Sequence, residues 1–111
     1  MRTVCLITWV ILGLSQGWTL ATEIFSTNST WRFRRGLSEA SSPVGAWRAV
    51  EFNDAAAGFA DAAAPFWYGD LRVGGTQLTD MQNRYSCIFL RRPFQIGNAA
   101  QVVSMRLRAY V

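Results

Sequence analysis

Strict two-residue alternation constrains this chain more than any other feature. In "TWRFRR", Trp31 and Phe33 fall on one side and Arg32 and Arg34 on the other. In "QVVSMRLRAYV", Val103, Met105, Leu107, Ala109 and Val111 alternate with Ser104, Arg106, Arg108 and Tyr110. That period belongs to a half-buried strand, because successive side chains of a strand point to opposite faces. A third run, "RYSCIFLRRPF", alternates Tyr85, Cys87 and Phe89 with Ser86, Ile88 and Leu90. It is apolar on both sides at its centre, which predicts a strand covered on both faces and ended by Pro93.

The segments between these runs are turn-rich. "GLSEASSPVG" and "LRVGGTQLTDMQN" read as loops. "AWRAVEF" fits either a short strand or one helical turn. The alanine-rich "NDAAAGFADAAAP" carries helical propensity, broken by Gly58 and ended by Pro65. It predicts a short helical turn or an irregular segment packed by Phe59. No repeat at a solenoid period is present. Several strands, long loops and no strong helix predict an all-β fold, a β-sandwich or jelly roll.

The start of the chain reads differently. Arg2 supplies a positive end, "VCLITWVILGL" an apolar run, and "TLA" small residues before a cut after Ala21. This is the layout of a secretory signal peptide. An uncleaved anchor is the alternative, but a spanning helix needs about 20 apolar residues, and Ser15, Gln16 and Gly17 interrupt sooner. The expected organisation is therefore a signal peptide at 1–21, a polar lead-in at 22–29 and a β domain at 30–111. The protein is expected to be secreted, on the cell surface or periplasmic, with no stable membrane anchor once the leader is removed.

Composition removes whole classes of chemistry. Every cation is an arginine; there is no lysine and no histidine. Without histidine there is no Ser-His or Cys-His arrangement, and without lysine no Schiff base. No nucleophile elbow or phosphate-cradling loop occurs. Residues 22–111 hold 10 arginines against 7 acids, a net charge of +3. Cys5 lies in the leader, so Cys87 has no internal disulfide partner. It reads as a small buried hydrophobe, with pairing to a partner's thiol as the alternative. Stability has to come from packing, which is marginal at this size.

At this point the residues resemble a family. "STWRF", "GAWRAVEFND", "FWYGD", "GGTQL", "YSCIFLRRPFQI" and "VVSMRLRAYV", in this order, resemble the front half of a galactose-binding-like β-sandwich module. Such modules occur in large secreted bacterial multidomain proteins. The landmarks are Trp31, Trp47-Arg48, Phe52 with Asn53-Asp54, Tyr68-Gly69-Asp70 and the run Phe89–Arg92 before Phe94. A Trp that the family carries after the Asn-Asp pair is replaced here by alanine-rich sequence around Phe59. In the family the last strand runs on into an Asp-Asp-Gly turn and the rest of the sandwich. The resemblance therefore implies a sandwich incomplete at its C-terminus, poorly stable alone, and a non-catalytic, carbohydrate-directed accessory role beside neighbouring domains.

Candidate site residues follow. Trp67 and Tyr68 beside Asp70 are candidate ligand-binding residues, because sugars stack apolar faces on exposed rings while polar neighbours orient them. Trp31, Phe33, Trp47 and Phe89 are expected in the core, where large aromatics contribute most burial. Loop carboxylates Asp54, Asp61 and Asp70 are the candidate ligands for a structural calcium, which takes several hard oxygens. No other cofactor is expected. Zinc is disfavoured for want of His and Cys ligands, and no spacing fixes a hydrolytic carboxylate pair. The arginines interleaved with rings match a single-strand binder's composition. Their period-two placement instead explains Arg32, Arg34, Arg106 and Arg108 as a solvated strand face, so no nucleic-acid partner is expected. "NST" at 28–30 matches a glycosylation acceptor, discounted because the resemblance is bacterial. The functional expectation is a non-catalytic exported module with weak carbohydrate binding. The alternatives are a structural spacer, or a non-catalytic piece of a secreted enzyme whose catalytic residues lie beyond Val111. The leader generates a direct prediction: N-terminal analysis of exported protein finds Thr22 first, and recovery of Met1 on exported protein contradicts cleavage.

Overall fold

A computed structural model of the chain describes residues 21–109; the predicted leader up to Leu20, Tyr110 and Val111 lie outside them. The described part is β-rich. Its elements are β1 (Thr30–Arg35), a 3-10 turn (Ala46–Arg48), β2 (Ala60–Ala63), β3 (Phe66–Trp67), β4 (Thr76–Gln77), β5 (Ile88–Arg91) and a second 3-10 turn (Ala99–Gln101).

The alternating run at 30–35 becomes the central strand of an antiparallel sheet ordered β2-β1-β5. On one face lie Trp31 and Phe33, opposite Ala62 and Ala60 of β2, with Leu90 of β5 opposite Phe33. On the other lie Arg32 and Arg34, opposite Asp61 of β2 and opposite Arg91 and Phe89 of β5. Phe33 is buried and stacks on Phe66, ring centroids 5.2 Å apart. Phe59, Leu78, Tyr85 and Ala40 complete the small buried set. Trp31, Trp47 and Phe89, expected in the core, are only half-buried. Trp47 meets Phe89 edge-on at 5.4 Å, and Trp31 meets Phe25 in the same way at 5.2 Å.

Several expectations are corrected. The alanine-rich segment contains no helix: residues 54–58 turn, Phe59 is buried, and Ala60–Ala63 form β2. Pairing with β1 overrides alanine's helical propensity, because the small side chains fit beside Trp31 and Phe33 while Asp61 faces Arg32. "AWRAVEF" takes the helical alternative, as the 3-10 turn at 46–48. The run at 84–94 yields only β5, half-buried along its length. Cys87 is exposed, not buried. It lies just outside β5, where Gly36 donates its N–H to the Cys87 carbonyl at 3.0 Å. A glycine neighbour offers no side chain to cover the thiol. Residues 102–109 are exposed and carry no regular structure. Alternation alone does not make a strand, since its backbone groups need a neighbouring strand to pair with, and none is present among the described residues.

The loop expected at 71–83 contains β4, which runs parallel to β3, Phe66 opposite Thr76 and Trp67 opposite Gln77. The strands are two residues long, and the loop between them is closed by short bonds. Thr76 N–H reaches the Pro65 carbonyl and Leu78 N–H the Trp67 carbonyl, each at 2.8 Å. The Thr76 hydroxyl donates to the Ala63 carbonyl at 2.7 Å, tying this pair to β2. Gly75 makes the closure possible. Its φ of +70° suits glycine, and a Cβ there would run into the Pro65 carbonyl. Gly58 has a similar φ of +79° but open space around it. Gly75→Ala is therefore expected to destabilise the protein by more than the roughly 1 kcal/mol of a left-handed alanine, and Gly58→Ala by that amount alone. Urea unfolding of the two variants checks the ordering.

Candidate functional site

The 67–77 loop holds the predicted ligand-binding residues. Trp67 is half-buried, and its indole Nε1–H donates to the Gly74 carbonyl at 3.0 Å, so its polar edge closes its own loop. Tyr68 is 46% exposed. Trp67 ends β3 with its indole bonded within the loop, whereas Tyr68, just past the strand, is the more exposed ring. Asp70 is exposed and pairs with Arg72 at 3.7 Å. Leu71 and Val73 are fully exposed on the same loop. The loop presents one ring, one carboxylate and two aliphatic side chains to solvent.

The better-built cluster centres on Asp54. Arg32 and Arg91 are directly opposite across the β1–β5 ladder, and like charges so placed repel. Asp54 resolves this by sitting between them. Its Oδ1 accepts from Arg32 Nε at 3.0 Å and Nη2 at 2.9 Å, and its Oδ2 accepts from Arg91 Nη1 at 2.8 Å. The "ND" turn positions the carboxylate. Asn53 Oδ1 accepts the Ala56 N–H at 3.1 Å, and the Asp54 carbonyl accepts the Phe59 N–H at 2.9 Å. The arginines also bind the loop's backbone. Arg32 reaches the Phe59 carbonyl at 2.9 Å, and Arg91 the Ala49 carbonyl at 2.7 Å and the Phe52 carbonyl at 3.3 Å. The hydrogen bond from Arg32 holds the Asp54 carboxyl below the usual carboxylate range against the opposing effect of burial, and the Arg91 charge adds to it.

Of the three candidate calcium ligands, two are brought near one another. Asp61 Oδ1 accepts from Arg32 Nη1 at 3.0 Å, so Asp54 and Asp61 share a guanidinium. Asp70 pairs with Arg72 in its own loop instead. Among the described residues no group of three or more acidic, Cys or His side chains gathers. The position a cation would take between Asp54 and Asp61 is occupied by Arg32.

Arg32 was expected on a solvated face and is instead ion-paired and part-buried. Arg34 stacks on Phe89 at 5.8 Å, Arg91 on Phe52 at 5.4 Å and Arg92 on Phe25 at 5.6 Å. In the first two arginine-rich runs, these arginines thus make cation–π contacts with rings of the same chain. An open depression of about 290 Å³ lies between Trp31, Asp61 and Arg92, floored by Arg32 and Arg91. Arg92 also donates to the Thr30 carbonyl there.

A second cluster escaped the sequence reading. Asp80 accepts from the Tyr85 hydroxyl at 2.7 Å, from Arg35 Nε at 2.8 Å and from Arg84 Nη1 at 3.4 Å. The spacing of Asp80 and Arg84, four residues apart, was a local signal; the Arg35 partner on β1 was not. Burial, and then the Asp80 carboxylate, push the Tyr85 phenol above its usual range. The Tyr85 hydroxyl, together with Arg35, holds the Asp80 carboxyl below its own.

No family model matches this chain, and comparisons with curated proteins and with solved structures likewise return no match.

The shifts carry a signed prediction. Asp54 and Asp80 have lowered values, so their contribution is present above the usual carboxylate range and lost as pH falls through the lowered ones. Tyr85 has a raised value, so its contribution is present below the usual phenol range and lost as pH rises through the raised one. Thermal stability should be flat near neutrality and fall on both sides. Asp80→Asn should bring one tyrosinate absorbance transition to lower pH.

Proposed function

We propose that this chain is an exported, non-catalytic accessory module of β-sandwich type that binds carbohydrate weakly through the 67–77 loop, beside neighbouring domains of a larger extracellular protein. The observation that supports it best is the exposed Tyr68 ring two residues from the exposed Asp70 carboxylate on a loop pinned at both ends. A ring offers a sugar's apolar face a surface to stack on, and a carboxylate accepts from its hydroxyls. Trp67 supports the loop from behind, through its bond to Gly74. The sandwich assignment rests on the order of motifs in the sequence and on the two small sheets.

That same Trp67 bond favours a second reading, in which the module is a structural spacer and its rings serve only its own packing. Retention on a panel of immobilised polysaccharides separates the two. Carbohydrate binding predicts retention of the wild-type chain on at least one matrix. Tyr68→Ala then weakens it by about tenfold, the scale of one aromatic contact, with the unfolding midpoint unchanged. Absence of retention on every matrix leaves the spacer.

A further inference from the structure

We infer that the depression at the end of the β1–β5 ladder is a binding site for an acidic sugar, a hexuronate, whose carboxylate pairs with Arg92. The notch has a cause in the sequence. The β1–β5 register, continued past Arg32 and Arg91, sets Thr30 opposite Pro93. The bond from Gly36 N–H to the Cys87 carbonyl fixes the phase of this ladder. Hydrogen-bonded pairs recur every second residue, so the Thr30 carbonyl points toward Pro93, which has no N–H to offer it. β5 ends at Arg91, β1 runs on to Thr30, and the Arg92 guanidinium reaches back to the orphaned carbonyl.

Arg92 is thereby held in place with donors to spare. It is half-buried, stacks on Phe25 at 5.6 Å and donates through Nη1 to Thr30. Among the described residues it pairs with no carboxylate, and its Nε and Nη2 bond nothing. Those two groups are the side-on fork that grips a carboxylate with two bonds. Arg32 and Arg91, on the floor, are already committed to Asp54 and to loop carbonyls. Three guanidinium groups thus stand against the carboxylates of Asp54 and Asp61, and the excess charge is positive. The rest of the lining is not that of a bare anion site. Asp61 is 72% exposed and can accept from hydroxyls, while Trp31 and Pro93 add apolar surface. Donor, acceptor and apolar wall together fit a hydroxylated ring that bears a carboxylate. The volume, about 290 Å³, is at the small end of ligand sites and suits a single ring. This site is separate from the 67–77 loop and does not depend on it.

Titration of the isotope-labelled chain with glucuronate and galacturonate, followed by NMR, tests this. The Trp31 indole N–H and the Arg92 Nε–H are expected to shift, with glucose, galactose and acetate each binding about tenfold or more weakly, the scale of a lost charge-assisted contact. Arg92→Gln should weaken uronate binding by about the same factor. Asp61→Asn should strengthen it about twofold or more, because a competing negative charge is gone, a gain that a damaged fold would not show. Tyr68→Ala should leave it unchanged, so this site and the loop can fail separately. Absence of uronate binding, shifts confined to the 67–77 loop, equally tight binding of the neutral sugars or of acetate, or indifference to Arg92→Gln and Asp61→Asn overturns the proposal.

Discussion

Two arginines face each other across the central ladder, and the rest of the structure is arranged around their neutralisation. A strand pair that sets Arg32 opposite Arg91 is unfavourable alone. It becomes favourable when an anion is held between the two guanidinium groups, and Asp54 is that anion, with one carboxylate oxygen for each. The "ND" turn is thereby fastened to the sheet, and with it the carbonyls of Ala49, Phe52 and Phe59. A chain with few buried residues thus ties a long irregular segment to two strands of the sheet, β1 and β5, by charge-assisted bonds, which are stronger than neutral ones.

The same economy explains the arginine-rich surface. A net positive chain with arginine beside aromatic residues suggests an anionic or nucleic-acid partner by composition alone. In the fold those arginines cap carbonyls, pair with Asp54, Asp61 and Asp80, or stack on rings of the same chain. Also facing outward are Tyr68, Asp70, Leu71 and Val73 on a pinned loop, and the alternating 102–109 segment with Arg106 and Arg108.

The period-two signal in "TWRFRR" was legible because its partners are local in type: apolar residues inward, arginine and aspartate outward. The alanine-rich strand was not, because alanine carries no period and its pairing depends on β1, about thirty residues away in sequence. The segment at 102–109 alternates as clearly as β1 and still lacks a partner among the described residues, so alternation is a capacity for pairing and not pairing itself. The exposure of Cys87 followed from a glycine across the ladder, a tertiary fact absent from its apolar neighbourhood. For the candidate site, the 67–70 stretch was legible as an aromatic cluster beside a carboxylate. The bond that turns Trp67 inward was not, nor was the role of Asp54, whose meaning lies in the register of β1 against β5.

The most direct test compares two carboxylates that share Arg32 but differ in setting. Asp54 is 20% exposed and stands between two arginines, whereas Asp61 is 72% exposed and touches one. Urea unfolding of Asp54→Asn and Asp61→Asn, each close in shape to the native residue, should show a clear drop in midpoint for the first and little change for the second. Equal effects, or a tolerated loss of the Asp54 charge, would contradict the claim that neutralising Arg32 and Arg91 holds this fold together.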